Sequence, residues 1–448
     1  MISSPTPGLI IAAPASGNGK TLFTQALLRL LKNTHYTVAP AKVGPDYIDP
    51  HFHTLASGRT CINLDTWAMR AGIMMHLMDQ LATDANLILC EGVMGLFDGA
   101  GIDDEMSDGS TASLARRTGW PVILVVDAAK QAQSVAALVR GFVTHAPDVK
   151  VAGVILNRVG SASHESLLRQ SLQKHLPGLC ILGALPRKLD LVLPERHLGL
   201  VQVQEQESHE AFLETAAAWI EEHIDMAQLV AIAQPAKIQN TEPITSALVP
   251  LGSRIAVAND VAFAFSYPSI LQGWRDQGAE IISFSPLSGD TLDETCDAIY
   301  LPGGYPELHA GTLATNGFLD GLQRAAKRRT PIYGECGGFM VLGQGLTDGK
   351  GTRHEMAGLL PVETSFMQPK LHLGYRQMTL VEDTPFGKRG QRFRGHEFHY
   401  ATTTSEVQGQ SLFQVTNASG DQLADIGCKL GSVAGSFMHL IDSADASP

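Results

Sequence analysis

The chain has 448 residues, 44% hydrophobic and 17% charged, proportions that suit a soluble globular protein of two or three domains and exclude intrinsic disorder and collagen-like repetition. Its net charge of -12, from 33 basic and 45 acidic residues, argues against general nucleic-acid binding, which needs a basic footprint. No apolar run has the length of a membrane span, and the apolar residues 8–14 lack the basic leader of a signal peptide. The 6 cysteines are dispersed without a CxxC pair, so neither a zinc site nor a disulfide framework is expected, and the reducing cytoplasm is the expected setting.

In chain order, residues 9–13, 38–41, 87–90, 122–126 and 151–156 are short apolar runs rich in β-branched residues. Residues 21–32 are helical by their leucine spacing, and a further helix is expected at 209–223. Apolar runs separated by helical segments fit strands buried on both faces of a parallel sheet. Residues 225–253 carry Pro235, Pro243 and Pro250 with no clear period and read as a linker. A second α/β pattern opens at 254–258 and continues through 279–284, 298–301 and 331–334. The reading is an amino-terminal domain over 1–224, a linker over 225–253 and a second α/β domain over 254–448.

Between the first strand and the first helix lies Ala13-Pro14-Ala15-Ser16-Gly17-Asn18-Gly19-Lys20-Thr21. Glycines at 17 and 19 let backbone N–H groups, including that of Asn18, turn inward on a phosphate, and the helix N-terminus adds positive dipole. Lys20 would reach the outer phosphates, and the Thr21 hydroxyl is placed to ligate Mg²⁺. Pro14 stands where the usual phosphate-loop pattern has its first glycine. Asp46 and Glu91 follow strands whose carboxyl ends form the ligand edge of a parallel sheet, and both are candidate metal ligands beside Thr21. Asp98 follows on the same side, and Asn157, after the run 151–156, is a candidate for the adenine edge.

The second candidate site is Gly334-Glu335-Cys336-Gly337-Gly338, read as strand, sharp turn, helix. This is the cysteine counterpart of the nucleophile elbow, and the helix dipole is expected to lower the thiol pKa. Gly303 and Gly304 follow another strand, and the N–H groups of Gly304 and Gly337 could form an oxyanion hole. His439, near the end of the chain, is the candidate general base.

These residues carry a resemblance. The amino-terminal half is similar to the dethiobiotin-synthetase type of phosphate-loop domain. Ala15 stands where filament and partition ATPases of ParA type carry a second lysine, which counts against a non-enzymatic ATPase switch. The carboxyl-terminal half resembles class I glutamine amidotransferase domains, in which a Cys–His pair releases ammonia from glutamine. In most of that family a glutamate lies two residues after the histidine. Ile441 occupies that position here, as in corrinoid amidases, which implies slow glutamine hydrolysis when the other site is empty.

Taken with Lys42-Val43-Gly44-Pro45-Asp46-Tyr47-Ile48-Asp49-Pro50, Glu91-Gly92-Val93-Met94-Gly95-Leu96-Phe97-Asp98-Gly99 and Gly395-His396-Glu397-Phe398-His399-Tyr400, the chain resembles the cobyrinic or hydrogenobyrinic acid a,c-diamide synthase family. The resemblance implies an ATP- and Mg²⁺-dependent ligase that takes L-glutamine and a corrinoid polycarboxylate and amidates the a and c carboxylates through acyl phosphates. It implies that Asp46, Glu91 and Asp98 serve the ATP-side chemistry and that Lys42 and Tyr47 meet the macrocycle. The related cobyric acid synthases amidate other carboxylates, and the 42–50 segment favours the a,c reading. Residues 7–16 look more like the metal-free branch, hydrogenobyrinic acid. A homodimer is compatible with the sequence.

Two further features stand beside the motifs. Lys388, Arg389, Arg392 and Arg394 form the densest basic run of an acidic chain, and read equally as counter-charge for a polycarboxylate, with Arg392 and Arg394 on the substrate, or as a solvated loop. The pairs His51/His53 and His396/His399 read as loop packing or substrate contact rather than metal ligands.

Overall fold

The computed structural model describes residues 6–101, 104–188, 191, 206–237, 246–404 and 411–444. The chain divides into two compact units, one of 1–67 with 74–243 and another of 68–73 with 244–448.

The first unit alternates strands and helices: β1 (Pro7–Ala12), α1 (Lys20–Asn33), β2 (Val38–Val43), α2 (Ile48–Ser57), β3 (Ile62–Leu64), α3 (Ala71–Ala82, its first turn grouped with the second unit), β4 (Leu87–Glu91) and α4 (Thr111–Thr118). It continues through β5 (Val122–Asp127), α5 (Val135–His145), β6 (Val151–Val159), α6 (Ala162–His175), β7 (Cys180–Pro186), α7 (Gln206–Glu221), α8 (Met226–Ile232) and β8 (Gln234–Pro235). The strands run parallel in the order β3-β2-β4-β1-β5-β6-β7. β8 pairs antiparallel with the start of β1.

The continuous apolar runs become strands because a sheet covered on both faces gives every second residue an apolar neighbour too. Leu9, Ile10 and Ile11 of β1 are each fully buried. Arg29 on α1 ties three helices together: its guanidinium donates to the Leu55 and Ala56 carbonyls of α2 and to Glu210 and Glu214 of α7. The expected linker differs from what is observed, because Asp225 caps α8 through Gln228 N–H and β8 joins the sheet. Its Pro243 lies outside the described residues.

The second unit contains β9 (Arg254–Ala258), α9 (Pro268–Asp276), β10 (Glu280–Phe284), β11 (Ala298–Leu301), α10 (Ala310–Thr315), α11 (Phe318–Lys327), β12 (Ile332–Glu335) and α12 (Gly337–Leu342). Short strands follow: β13 (Gly345–Thr347), β14 (Arg353–Glu355), β15 (Glu363–Ser365), β16 (His372–Leu380), β17 (Arg392–His399), β18 (Thr402–Thr403), β19 (Phe413–Asn417), β20 (Cys428–Leu430), β21 (Val433–Ser436) and β22 (Met438–Ser443). The main sheet has the order β10-β9-β11-β12-β21-β20, parallel except for β20. A separate antiparallel sheet, β19-β16-β17-β22, sets β17 beside β22 with His396 opposite His439. Among the described residues no helix is long and apolar enough to cross a membrane.

Candidate functional site

In the first unit, the carboxyl ends of β1, β2 and β4 converge. Residues 13–19 leave β1 and enter α1 through Gly19, whose backbone is left-handed at φ 90. A side chain there is excluded twice over, since a Cβ would also lie 2.2 Å from Asn157 Nδ2. Asn157 donates to the Asn18 carbonyl at 2.8 Å, and Asn18 Oδ1 accepts from Asp127 N–H at 2.9 Å. Asn157 Oδ1 accepts from Arg158 N–H at 2.9 Å. The side chain therefore anchors the loop at the place where the adenine contact was expected. Gly17, also left-handed at φ 81, leaves open space where a Cβ would stand.

Lys20 and Thr21 project from the first turn of α1 onto Glu91 at the end of β4. Thr21 Oγ1 donates to Glu91 Oε1 at 2.7 Å, and Lys20 Nζ lies 3.8 Å from the same oxygen. The parallel register of β2 and β4 sets Lys42 beside Glu91, with Nζ 3.2 Å from Oε1. Lys42 also reaches Asp49 at 2.5 Å and Asp46 at 3.6 Å. Asp46 Oδ1 meanwhile caps α2 by accepting from Ile48 and Asp49 N–H.

Lys42 and Glu91 are almost wholly buried, and burial opposes both charges. For Lys42 the three carboxylates overcome burial and hold the ammonium well above its ordinary range. For Glu91 the Lys42 ammonium, the His53 imidazole and the Lys20 ammonium overcome burial and hold the carboxyl below its ordinary range. Burial lowers Lys20, with Glu91 opposing. Asp49 is pushed up to about 7, by burial first, with Lys42 opposing. His53, fully buried, puts Nε2 2.6 Å from Glu91 Oε2.

Sequence reasoning thus missed two members of this cluster. Asp49 was visible within the 42–50 motif, seven positions after Lys42, but nothing in the motif said that the two would pair. His53 was noticed only as one of the pair His51/His53, read as loop packing or substrate contact, and its i+4 place after Asp49 was the one further signal. Lys42, expected on the substrate, sits among carboxylates in this structure. Asp98 is exposed, and its Oδ2 accepts from Gly95 N–H at 2.8 Å, closing the turn of its own loop. Tyr47, half-buried, is the residue at the N-cap of α2.

The oxygen-rich set of Thr21, Asp46, Asp49 and Glu91 suits a hard divalent cation.

In the second unit, the topology brings the carboxyl ends of β11, β12 and β21 side by side. Cys336 occupies the turn between β12 and α12 at φ 48, ψ -103, a strained conformation for a side-chain-bearing residue that exposes the sulfur to what faces the sheet edge. Its N–H donates to the Ser436 carbonyl at 2.8 Å, and its Sγ lies 3.6 Å from the Phe398 carbonyl oxygen. A Cβ built on Gly303 would lie 2.5 Å from His439 Cε1 and 3.3 Å from Cys336 Cβ, so thiol and imidazole flank the same backbone. A Cβ on Gly337 would lie 3.0 Å from Gly304 N, which sets the two expected oxyanion donors next to each other.

The expected lowering of the Cys336 pKa is corrected by this environment. Burial, then the Glu307 carboxyl, push the thiol up, and α12 has only 6 residues, too short a dipole to reverse them. His439 is held well below its ordinary range by burial and by His396 and His399. The resting pair is therefore neutral thiol and neutral imidazole.

Arg392 and Arg394 lie on β17, and Lys388 is paired with Asp383 at 2.9 Å. The two histidines of the 396/399 pair part company: His396 stacks on His439 with ring centroids 4.8 Å apart, while His399 Nε2 lies 3.0 Å from Glu397 Oε1. His372, Glu397 and His399 do have ligand-like spacing, but Arg376 already holds Glu397 at 2.7 Å.

Comparisons with known proteins agree with this division. Residues 9–201 match the CobQ/CobB/MinD/ParA nucleotide binding domain, and residues 254–446 match the CobB/CobQ-like glutamine amidotransferase domain. The chain is 51% identical to a hydrogenobyrinate a,c-diamide synthase of Brucella anthropi, over 97% of this chain and 98% of that one. It is 52% identical to the protein of that name from Brucella suis, with the same coverage. It is 49% identical to another from a Sinorhizobium species, over 98% of this chain and all of that one.

Proposed function

The chain belongs to the hydrogenobyrinate a,c-diamide synthase family, and from that premise we propose that it amidates the a and c carboxylates of hydrogenobyrinic acid in the cytoplasm, using ATP and glutamine. One observation carries the reading: a single chain holds both a phosphate loop whose Lys20 and Thr21 meet buried Glu91 and a strained cysteine whose turn faces His439. The first suits activation of an acid, and the second suits production of the nitrogen that replaces its oxygen.

The chemistry needs both. A carboxylate is a poor electrophile, because ammonia would have to expel oxide. Phosphoryl transfer from ATP converts it to an acyl phosphate with release of ADP, and ammonia then displaces phosphate to leave the amide. Lys20 neutralises charge on the outer phosphates, while Gly17, Asn18 and Gly19 turn the loop backbone around them. Thr21, Asp46 and Glu91 are the residues that would hold Mg²⁺, which when bound supplies charge stabilisation to the transferring phosphoryl group. Lys42 holds Asp46, Asp49 and Glu91 in one geometry; Tyr47 and Asp98, on the loops after β2 and β4, would face the macrocycle and the acyl phosphate. Asn157 fixes the phosphate loop from behind.

At the second site Cys336 attacks the side-chain carboxamide of glutamine, His439 takes the thiol proton and returns it to the departing nitrogen, and water releases glutamate from the thioester. The N–H groups of Gly304 and Gly337 would hold the developing oxyanion. A neutral resting pair makes glutamine hydrolysis slow until substrate shifts the balance. Arg392 and Arg394 remain candidates for the macrocycle's carboxylates.

Incubation with ATP, Mg²⁺, glutamine and either hydrogenobyrinic acid or its cobalt-bearing counterpart, followed by product mass, tests the proposal. The expected product carries two oxygen-to-nitrogen replacements on the metal-free macrocycle. Preference for the cobalt form would change the substrate. ADP formation indifferent to any macrocycle would instead favour an ATPase switch.

A further inference from the structure

Ile441 occupies the place where an acid following the histidine was sought, yet a histidine acting as general base works best with a partner that fixes its ring and stabilises its cation. We infer that Glu335, the residue immediately before the nucleophile, is the acid that positions His439, delivered from the strand leading into the elbow rather than from the strand that carries the histidine. The inference deepens the glutaminase reading above and rests on it.

Glu335 is 3% exposed, and a buried carboxyl is costly unless its oxygens are satisfied. Oε2 accepts from Tyr300 Oη at 2.9 Å and lies 3.9 Å from His439 Nδ1. Oε1 accepts at 3.2 Å from Leu440 N–H, the peptide next to His439. The carboxyl is therefore clamped to the backbone of the strand whose imidazole it faces. His396 stacks on that imidazole at an interplanar angle of 9°, and its Nε2 lies 2.9 Å from Tyr267 Oη. Stacking fixes the plane of the ring, and Glu335 marks the edge to which Nδ1 points.

A separation of 3.9 Å is that of an ion pair, longer than a hydrogen bond. Burial raises Glu335 to about 7, so near neutrality its carboxyl is divided between the acid and the carboxylate, while burial with His396 and His399 lowers His439 and leaves the resting imidazole neutral. Tyr300 and Tyr333 face Glu335, while Glu307, Glu335 and Glu397 act on Cys336. When the Cys336 proton moves to the other ring nitrogen of His439, Nδ1–H becomes part of a cation opposite the carboxylate. The sulfur–carbon bond to glutamine then forms, the carbon–nitrogen bond breaks, and the same proton leaves with ammonia. Glu335 neither gives nor keeps that proton. It must be ionised to act, so glutamine turnover should rise with pH through about 7.

The test uses the full chain with Glu335→Gln and Glu335→Asp, measuring glutamine hydrolysis against pH and amidation driven by ammonium salt. Glu335→Gln is expected to lower kcat for glutamine by about 100-fold, to leave its KM within about two-fold, and to abolish the rising limb near neutrality. Ammonium-driven amidation should persist, and Glu335→Asp should restore part of the rate with a displaced limb. Wild-type kcat and an unchanged pH profile in Glu335→Gln would overturn the inference, as would equal loss of the glutamine- and ammonium-driven reactions in both variants. A wild-type chain that released no ammonia from glutamine would overturn the glutaminase reading itself.

Discussion

Lys42 stays charged at 2% exposure because Asp46, Asp49 and Glu91 lie within 3.6 Å of its ammonium. Removing one member of such a buried group leaves the others uncompensated, typically at a cost of about 3–5 kcal/mol. Lys42→Ala should therefore lower stability in denaturant titration by about 3 kcal/mol and abolish amidation from either nitrogen source, whereas a lysine acting only on substrate would leave stability untouched. Cys336 makes the complementary case. Cys336→Ser should lose glutamine-driven amidation and keep the ammonium-driven reaction, because the loop around Lys20 and Glu91 does not depend on the sulfur. Product formation from glutamine by that variant would remove the thiol from the mechanism. The motifs named Lys20, Thr21, Glu91 and Cys336 directly, because each stands where a strand end meets the loop or helix that follows it. They did not name Glu335 as a partner of His439, since 104 positions separate the two and only the pairing of β12 with β21 and of β17 with β22 brings them to one place.

At the scale of elements, β17 shows how a strand shapes a site on another strand. Its register against β22 shifts between Arg394 and Gly395, and a Cβ at Gly395 would lie 1.9 Å from the His439 carbonyl oxygen. No side chain fits there without moving the backbone that aims His439. Gly395→Ala is expected to cut glutamine hydrolysis at least about 10-fold while ammonium-driven amidation continues. Equal rates in both assays would mean that the bulge is merely tolerated. The apolar strands of both main sheets were legible from sequence, with β9 and β11 starting and ending where the pattern placed them. The strands from β13 onward were not. They mix polar and apolar residues, and β17 buries the polar His396, Glu397 and His399, so such short runs carry little periodic signal. α8 was also missed, being 7 residues long and followed within three positions by Pro235.

For the molecule as a whole, the division into two units does not follow the order of the chain. Residues 68–73, embedded in the amino-terminal half, belong to the second unit. There Arg70 donates to Asp442 through its backbone N–H at 2.7 Å and its guanidinium at 2.7 Å. Asp442 is fully buried and is pushed up to about 6 by burial, with Arg70 opposing. It lies three residues beyond His439 on β22. Arg70→Ala should lower the stability of the full chain by about 3 kcal/mol, and adding Asp442→Asn should recover part of it, because the amide needs no cation. Additive losses in thermal unfolding would show that the pair is not coupled.

The sequence alone determined the two α/β halves, the phosphate loop and the cysteine elbow, because these depend on local matters: apolar runs that pair as buried strands, glycines that permit a turn, and a nucleophile or cation at the turn's apex. Tertiary structure decided which charges survive burial and which residues cooperate. Lys42 with Asp49, His53 with Glu91 and Glu335 with His439 are set by strand register and by the loss of water around each group, quantities that exist only once distant segments have packed.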